Sequence, residues 1–293
     1  MMKVWLSLPF LQPAGLRELT VAAEECGVSG LALSDHPCVP MDFSSPYPYG
    51  RGKPAVLPPE TQLPDPLIVA AALTAATSRV RLMTAVLIAP LRHPVMLAKE
   101  VATVSALGAG RFDLGVGVGW LREEFEALGR KDFSRRGAVL DEMLDLLPHL
   151  WTGHPVAHAG QHFSFDAIAV NPTPAAPVPL FVGGTSDAAL RRCAKHADGW
   201  VGVNHTAEEL AAILGRLREE REKAGTADRP FEVRTGLRGR VTTERVRALR
   251  DLGVDAFLLA PWQVGPRRES VHEPAVSTLI EELPAMVELL RTA

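Results

Sequence analysis

The stretch GRFDLGVGVGWLREEFEALG, residues 110–129, decides how the rest of the chain is read. Gly115, Gly117 and Gly119 stand at alternate positions, and charged, helix-forming residues follow abruptly. A glycine-rich turn between strand and helix can bring backbone amides against a pyrophosphate. The spacing opposes that reading: the third glycine of a GxGxxG fingerprint would fall at Trp120, and no GxxxxGK[ST] run occurs. A period of two instead puts the three glycines on one face of a strand and Val116 and Val118 on the other. One face is stripped of side chains, for tight packing or for room beneath something bulky.

Working outward, short apolar runs recur at 4–10, 30–35, 80–88, 111–119, 179–184, 199–203, 231–236 and 256–262, each followed by a helical pattern. Eight alternating units predict an α/β fold, a (β/α)8 TIM-type barrel formed as a single domain over 1–293, with an open doubly wound sheet as the alternative. Helix ends are legible. Pro94 suits a first helical turn and Gly108 with Gly110 closes that helix. Val139, Leu140, Met143, Leu144, Leu147, Leu150 and Trp151 form one apolar stripe, with Pro148 expected to bend its last turn. Two segments interrupt the repeat. Residues 37–66, proline-dense and carrying Phe43, Tyr47 and Tyr49, follow the second strand and are expected to form part of the wall or lid of a pocket on the catalytic face, the alternative being a solvated, disordered loop. Residues 152–178 read as a β-hairpin with a proline-rich lead-in to the fifth strand.

Composition narrows the function. A net charge of −3 on 293 residues, without a sustained basic run, argues against nucleic acid or a membrane surface and for a small-molecule substrate. No run reaches the length of a membrane span. Cys26, Cys38 and Cys193 make neither a disulfide framework nor a CxxC site, which fits a reduced, cytoplasmic protein. The loose cluster His154, His158 and His162 lacks ligand spacing, so no metal is expected.

In a barrel, residues at the C-terminal ends of strands face the site. The second strand ends at Asp35-His36, where the histidine either exchanges protons or hydrogen-bonds a heteroaromatic ring, or the pair merely caps the loop. The third ends at Thr84-Ala85-Val86, a small wall. The fifth ends at Gly183-Gly184-Thr185-Ser186 before a helix, where free amides and the helix dipole suit a phosphate; the alternative is an ordinary N-cap by Thr185 or Ser186. A flat-walled pocket with a separate phosphate cradle suits a phosphorylated ring cofactor.

SDH at 34–36, YPY at 47–49, DPL at 65–67, residues 91–129, RRG at 135–137, LWTG at 150–153, VGGTSDAALRR at 182–192 and ADGW at 197–200 resemble the luciferase-like monooxygenase superfamily, and within it the branch of F420-dependent oxidoreductases. The likeness runs to about residue 203 and fades beyond. It implies a barrel that binds coenzyme F420, or alternatively FMN, at its C-terminal face. It also implies cofactor contacts at Asp35, His36, Ala85, Val86, Gly183, Gly184 and Thr185, to which the strand-end reading adds Thr84 and Ser186. Ala85-Val86 matches a bulge where the family often has a non-prolyl cis peptide, and a homodimer is the implied assembly. The sugar-phosphate dehydrogenases of this superfamily carry a catalytic glutamate where Trp120 stands, so their substrate is not carried over. Glu123 and Glu124 lie nearby. WLREEFEALGR reads as a short surface helix with Glu126 and Arg130 paired, and Tyr47, Tyr49, Trp120 and Glu124 are the candidates for the substrate pocket. The expected function is hydride transfer between F420 and a small organic substrate, with His36 as the catalytic residue. The alternatives are a two-component FMN-dependent monooxygenase and a cofactor-binding protein without turnover.

Overall fold

A computed structural model describes residues 2–8, 12–48, 57–260, 263 and 276–292. Its strands are β1 (Lys3–Leu8), β2 (Gly30–Leu33), β3 (Arg81–Thr84), β4 (Leu87–Ile88), β5 (Phe112–Gly117), β6 (Val156–Ala159), β7 (Ser164–Ile168), β8 (Leu180–Gly183), β9 (Gly199–His205), β10 (Glu232–Leu237) and β11 (Ala256–Leu259). The helices are α1 (Leu16–Glu25), α2 (Pro66–Thr74), α3 (Pro94–Leu107), α4 (Arg122–Ala127), α5 (Arg136–Leu150), α6 (Asp187–His196), α7 (Ala207–Lys223), α8 (Thr243–Asp251) and α9 (Val276–Thr292). All barrel pairings are parallel in the order β3-β2-β1-β11-β10-β9-β8-β5-β4, and a β3–β5 pairing closes the ring. The (β/α)8 barrel expected from the repeat is therefore the fold, with β3 and β4 as two parts of one stave.

Alternation along the strands divides the core in two. Trp5, Ala32, Met83, Phe181, Val201, Ala256 and Leu258 fill the barrel, while the larger apolar layer lies between strands and helices. The barrel also encloses charge. Arg234 lies between the rings of Trp5 and Phe181, 4.0 and 3.9 Å from their centres, and donates to the fully buried Asp113 at 2.6 Å. Arg81 binds the other oxygen of Asp113, so the buried carboxylate is compensated on both sides.

The break in the third stave explains the opening glycines. From Met83 to Leu87 there are four steps, but opposite them Asp113 to Val116 is three, so β3–β4 carries a one-residue surplus against β5. The surplus lies at Thr84–Val86, and the Ala85–Val86 peptide is cis. A Cβ on Gly115 would lie 2.1 Å from the Thr84 carbonyl oxygen, and one on Gly117 would lie 2.6 Å from Val86 Cγ2. The bare face of β5 thus receives the bulge of its neighbour: of the two readings of the stripped face, tight packing is the one realised.

Helix ends follow the local chemistry. Pro94 opens α3 and Gly108 caps it, while α5 continues through Pro148 to Leu150. Residues 156–168 form the expected hairpin, tied to α5 by Glu142, which accepts the amides of Gln161, His162 and Phe163. The insertion after β2 is fastened from α4. Glu123 accepts the Ser44 amide at 2.8 Å and the Ser45 hydroxyl at 2.7 Å. Burial alone would raise the Glu123 carboxyl, but these donors bring it down to about 2.

Gly115→Ala should lower the unfolding free energy by about 3 kcal/mol, because backbone cannot move aside as a flexible side chain would. Gly215→Ala, in α7 with nothing within 4 Å of the added carbon, should gain up to about 1 kcal/mol. Urea denaturation of the two variants measures both. Glu123→Gln should speed amide hydrogen exchange at Ser44 and Ser45 near neutral pH, where the native carboxylate is fully ionised; unchanged protection would mean that the staple does not hold the loop.

Candidate active site

The clasp beneath the mouth comes first. Asp35, at the end of β2, accepts the Ile88 amide at 2.8 Å and two donors from Arg92 at 2.6 and 3.1 Å. Arg92 also reaches Asp65 at 3.1 Å, and Asp65 caps α2. Burial opposes the Arg92 charge, but the paired carboxylates outweigh it and raise its pKa. Asp35 is thus engaged within the protein: it ties β2 to β4 across the bulge. Thr84 is also engaged, since its hydroxyl donates to the Gly115 carbonyl at 2.7 Å and accepts the Gly115 amide at 3.0 Å. Both side chains thus brace the strand ends around the bulge, Asp35 through Arg92 and Ile88 and Thr84 through Gly115. Ala85 and Val86 are half-buried and pack on the barrel's interior cluster.

His36, the residue after Asp35, is held by a side chain of α4. Its Nδ1 lies 2.7 Å from Glu124 Oε1. Glu124 is fully buried, and its second oxygen, Oε2, accepts no hydrogen bond among the described residues. Burial pushes the Glu124 carboxyl above the usual carboxylate range, and the hydrogen bond from His36 opposes that only in part. The ionised carboxylate accepts from Nδ1–H and leaves Nε2 free to take or give a proton. Trp120 meets His36 edge-on with ring centres 6.0 Å apart, and also meets Phe43 at 6.1 Å and Tyr47 at 5.2 Å. The fold therefore brings four candidates together, His36, Tyr47, Trp120 and Glu124, and walls them with the insertion after β2. Tyr49 lies outside the described residues.

Two expectations about α4 are corrected. Glu124 is not on a surface helix face: Leu121, Glu124 and Phe125 are all buried, so the carboxylate sits within the helix's apolar stripe. The i, i+3, i+4 spacing of Leu121, Glu124 and Phe125 was the signal for this. Arg130 pairs with Asp132 at 2.9 Å rather than with Glu126, because the chain leaves the helix after Ala127. Arg92 was missed altogether, since nothing local marks the carboxylates it reaches.

The turn Gly183–Ser186, expected to bind a phosphate, follows β8. Gly184 has φ 104°, a conformation that glycine adopts without strain. Its carbonyl accepts from Trp200 Nε1 at 2.9 Å, and a Cβ on Gly183 would lie 2.8 Å from Val86 Cγ1. Ser186 is the N-cap of α6 and accepts the Ala189 amide at 3.2 Å. The amides of Asp187 and Ala188 take no partner among the described residues, so this helix end keeps two donors beside its Ser186 cap. A half-buried wall, a hydrogen-bonded histidine–carboxylate pair and two unpartnered amides at a glycine turn are groups that a phosphorylated ring cofactor could use. Among the described residues, no group of three or more histidine, cysteine or carboxylate side chains could hold a metal, and no helix is long and apolar enough to cross a membrane.

The sequence model of the luciferase-like monooxygenase family matches residues 5–278. An uncharacterised protein of Mycobacterium tuberculosis is 33% identical over 265 residues, covering 87% of this chain and 88% of its own. An F420-dependent glucose-6-phosphate dehydrogenase of Nakamurella multipartita is also 33% identical, over 93% of this chain and 76% of its own. Among solved structures, an F420-dependent secondary alcohol dehydrogenase in complex with an F420–acetone adduct superposes with a TM-score of 0.75 over 99% of each chain, at 17% identity, a likeness of fold. With its closed barrel and a family match that spans all but the chain's two ends, the protein belongs to the luciferase-like monooxygenase family of oxidoreductases.

Proposed function

We propose that this protein transfers a hydride between coenzyme F420 and a small organic substrate, with the His36–Glu124 pair moving the accompanying proton. The observation that carries the reading is the 2.7 Å bond between His36 Nδ1 and a fully buried carboxylate. Burying an ionised group is costly, and a surface loop cap would need no such arrangement. The relative of Nakamurella multipartita, named F420-dependent, supports the choice of cofactor. Trp120, standing where sugar-phosphate dehydrogenases have a glutamate, argues against their substrate and for one with an apolar face.

The cofactor, when bound, accepts or donates the hydride through its ring. The rest falls to this chain. Gly184, with the amides of Asp187 and Ala188, would hold the phosphate. Ala85 and Val86 would support the ring, and Tyr47 and Trp120 would exclude water from the substrate side. As a hydride leaves the carbon of an alcohol, its hydroxyl proton passes to His36 Nε2; in the reverse direction Nε2 returns that proton to the carbonyl oxygen. Glu124 orients the ring and stabilises the imidazolium, which makes it a positioning residue. The alternative, an FMN-dependent monooxygenase, is supported by the family to which the chain belongs.

Titration of the purified protein with F420 and with FMN, followed by absorbance and fluorescence, separates the two: tight binding of FMN alone would overturn the proposal. Gly184→Asp should weaken cofactor binding by about two orders of magnitude or more, by setting a carboxylate against the phosphate. Gly184→Ala adds the same backbone strain without the charge and should retain part of the affinity. His36→Ala should bind cofactor yet lose turnover by about 10²- to 10⁴-fold. Activity of the native protein should fall on the acid side as pH drops through the raised pKa of Glu124 and its carboxylate protonates. Glu124→Gln should be slower and lack that limb; an unchanged profile would remove Glu124 from the relay.

A further inference from the structure

The carbonyl of Gly184 is held from outside the turn to which it belongs. Trp200, the second residue of β9, is fully buried in the apolar layer between strands and helices, and its Nε1–H donates to the Gly184 oxygen at 2.9 Å. Gly202, Asn204 and His205 all serve that one ring. Gly202 lies two residues on, hence on the same face, and a Cβ there would overlap the six-membered ring of Trp200. The indole thus lies along its own strand and reaches across to the end of β8. Alternation would put His205 on the opposite face, with Val201 and Val203, which pack in the barrel interior. Asn204 breaks the alternation. Its φ of 63° is left-handed, a conformation that asparagine tolerates better than most residues, and His205 stacks on Trp200 with ring centres 5.8 Å apart.

The bond from Trp200 fixes a peptide plane. In a trans peptide the carbonyl and the amide that follows it point in opposite directions. The Gly184–Thr185 peptide is trans, so with the Gly184 oxygen turned into the Trp200 layer the Thr185 N–H is turned away from it. That amide donates to nothing among the described residues, nor does the next one, of Ser186. Glycine by itself leaves the orientation open. With φ 104° and no Cβ, Gly184 lets the following peptide rotate at little cost, and a rotated peptide would present its carbonyl oxygen where the Thr185 amide now stands. An N–H attracts an anion and a carbonyl oxygen repels it, so this one choice sets the sign of the turn toward a phosphate.

We propose that Trp200 is the positioning residue of the turn: by holding the Gly184 carbonyl in the outer layer, it keeps the Thr185 amide turned toward the cofactor's phosphate. The inference rests on the phosphate reading of the turn given above. Trp200 itself touches no ligand in this scheme and stands on a different strand from the turn. Its loss should therefore be felt at the phosphate and not at the ring.

The test uses two ligands that differ by the phosphate alone: the ribityl deazaflavin that forms the F420 chromophore, and the same compound carrying a 5′-phosphate. Both are titrated by fluorescence into the native protein and into Trp200→Phe, which keeps an apolar ring in the layer and lacks the donor. The native protein should bind the phosphorylated form about tenfold or more tightly than the other. Trp200→Phe should lose about five- to tenfold in affinity for the phosphorylated form and bind the unphosphorylated one as before. Equal losses for both ligands, or no loss for either, would overturn the proposal. A native protein that binds both forms equally would overturn the phosphate reading on which it stands. Binding of FMN with neither deazaflavin would overturn the F420 reading alone, and FMN with riboflavin then supplies the same pair. Thermal melting verifies the fold of the variant, and the native protein gives a second readout. An anion on the Thr185 amide polarises the peptide and strengthens the bond at its carbonyl, so the Thr185 amide and Trp200 indole resonances should shift together with the phosphorylated ligand only. An indole signal that stays in place would overturn the assignment without recourse to the variant.

Discussion

The mouth of this barrel depends on the absence of a side chain at Gly115. A strand with a one-residue surplus must push backbone toward its neighbour, and the Thr84 carbonyl occupies the space where a Cβ on Gly115 would be. Gly117 and Gly183 make the same allowance for Val86 from two neighbouring staves. Close packing tolerates such an excursion only where facing residues give way along their whole length, and glycine is the sole residue that does. The bulge then sets the wall, and the Asp35–Arg92 clasp fixes the wall against β2. His36, one residue on, inherits its position from that clasp.

Charge is handled differently at the two ends of the barrel. Deep in the barrel, Asp113 is met by Arg81 and Arg234, and Arg234 is sandwiched between two aromatic rings. Every strong charge there has a partner, as burial demands. Near the mouth the pairing is incomplete. Glu124 has an oxygen without a donor among the described residues, and Arg136 shares an aromatic ring with a second cation. Incomplete pairing near a mouth is a common property of sites that act on a ligand, because the missing partner arrives with it.

Much of the architecture was legible in the residues. Pro94 and Gly108 bound their helix as their backbone preferences require, the hairpin at 156–168 stands where alternation placed it, and eight strand–helix units close into a barrel. Strand ends were less legible. The run 80–88 reads as one continuous strand, yet the ladder breaks at Ala85–Val86, and hydropathy cannot register a surplus that exists only relative to another strand.

The sequence by itself determined the class of fold, the face that carries the site and the identity of its candidates, because periodicity and chain punctuation are local properties. Only the tertiary structure decided what each candidate touches. Asp35 and His36 are adjacent in the chain, but one faces Arg92 and the other Glu124, fifty-seven and eighty-eight residues away. Glu123 and Glu124 are likewise adjacent. One is a loop anchor held down to about 2 by its donors, the other a buried carboxyl pushed up by desolvation. Neighbouring residues of the same type part ways because a helix turns them toward different surroundings, and the surroundings, assembled from distant segments, set their chemistry.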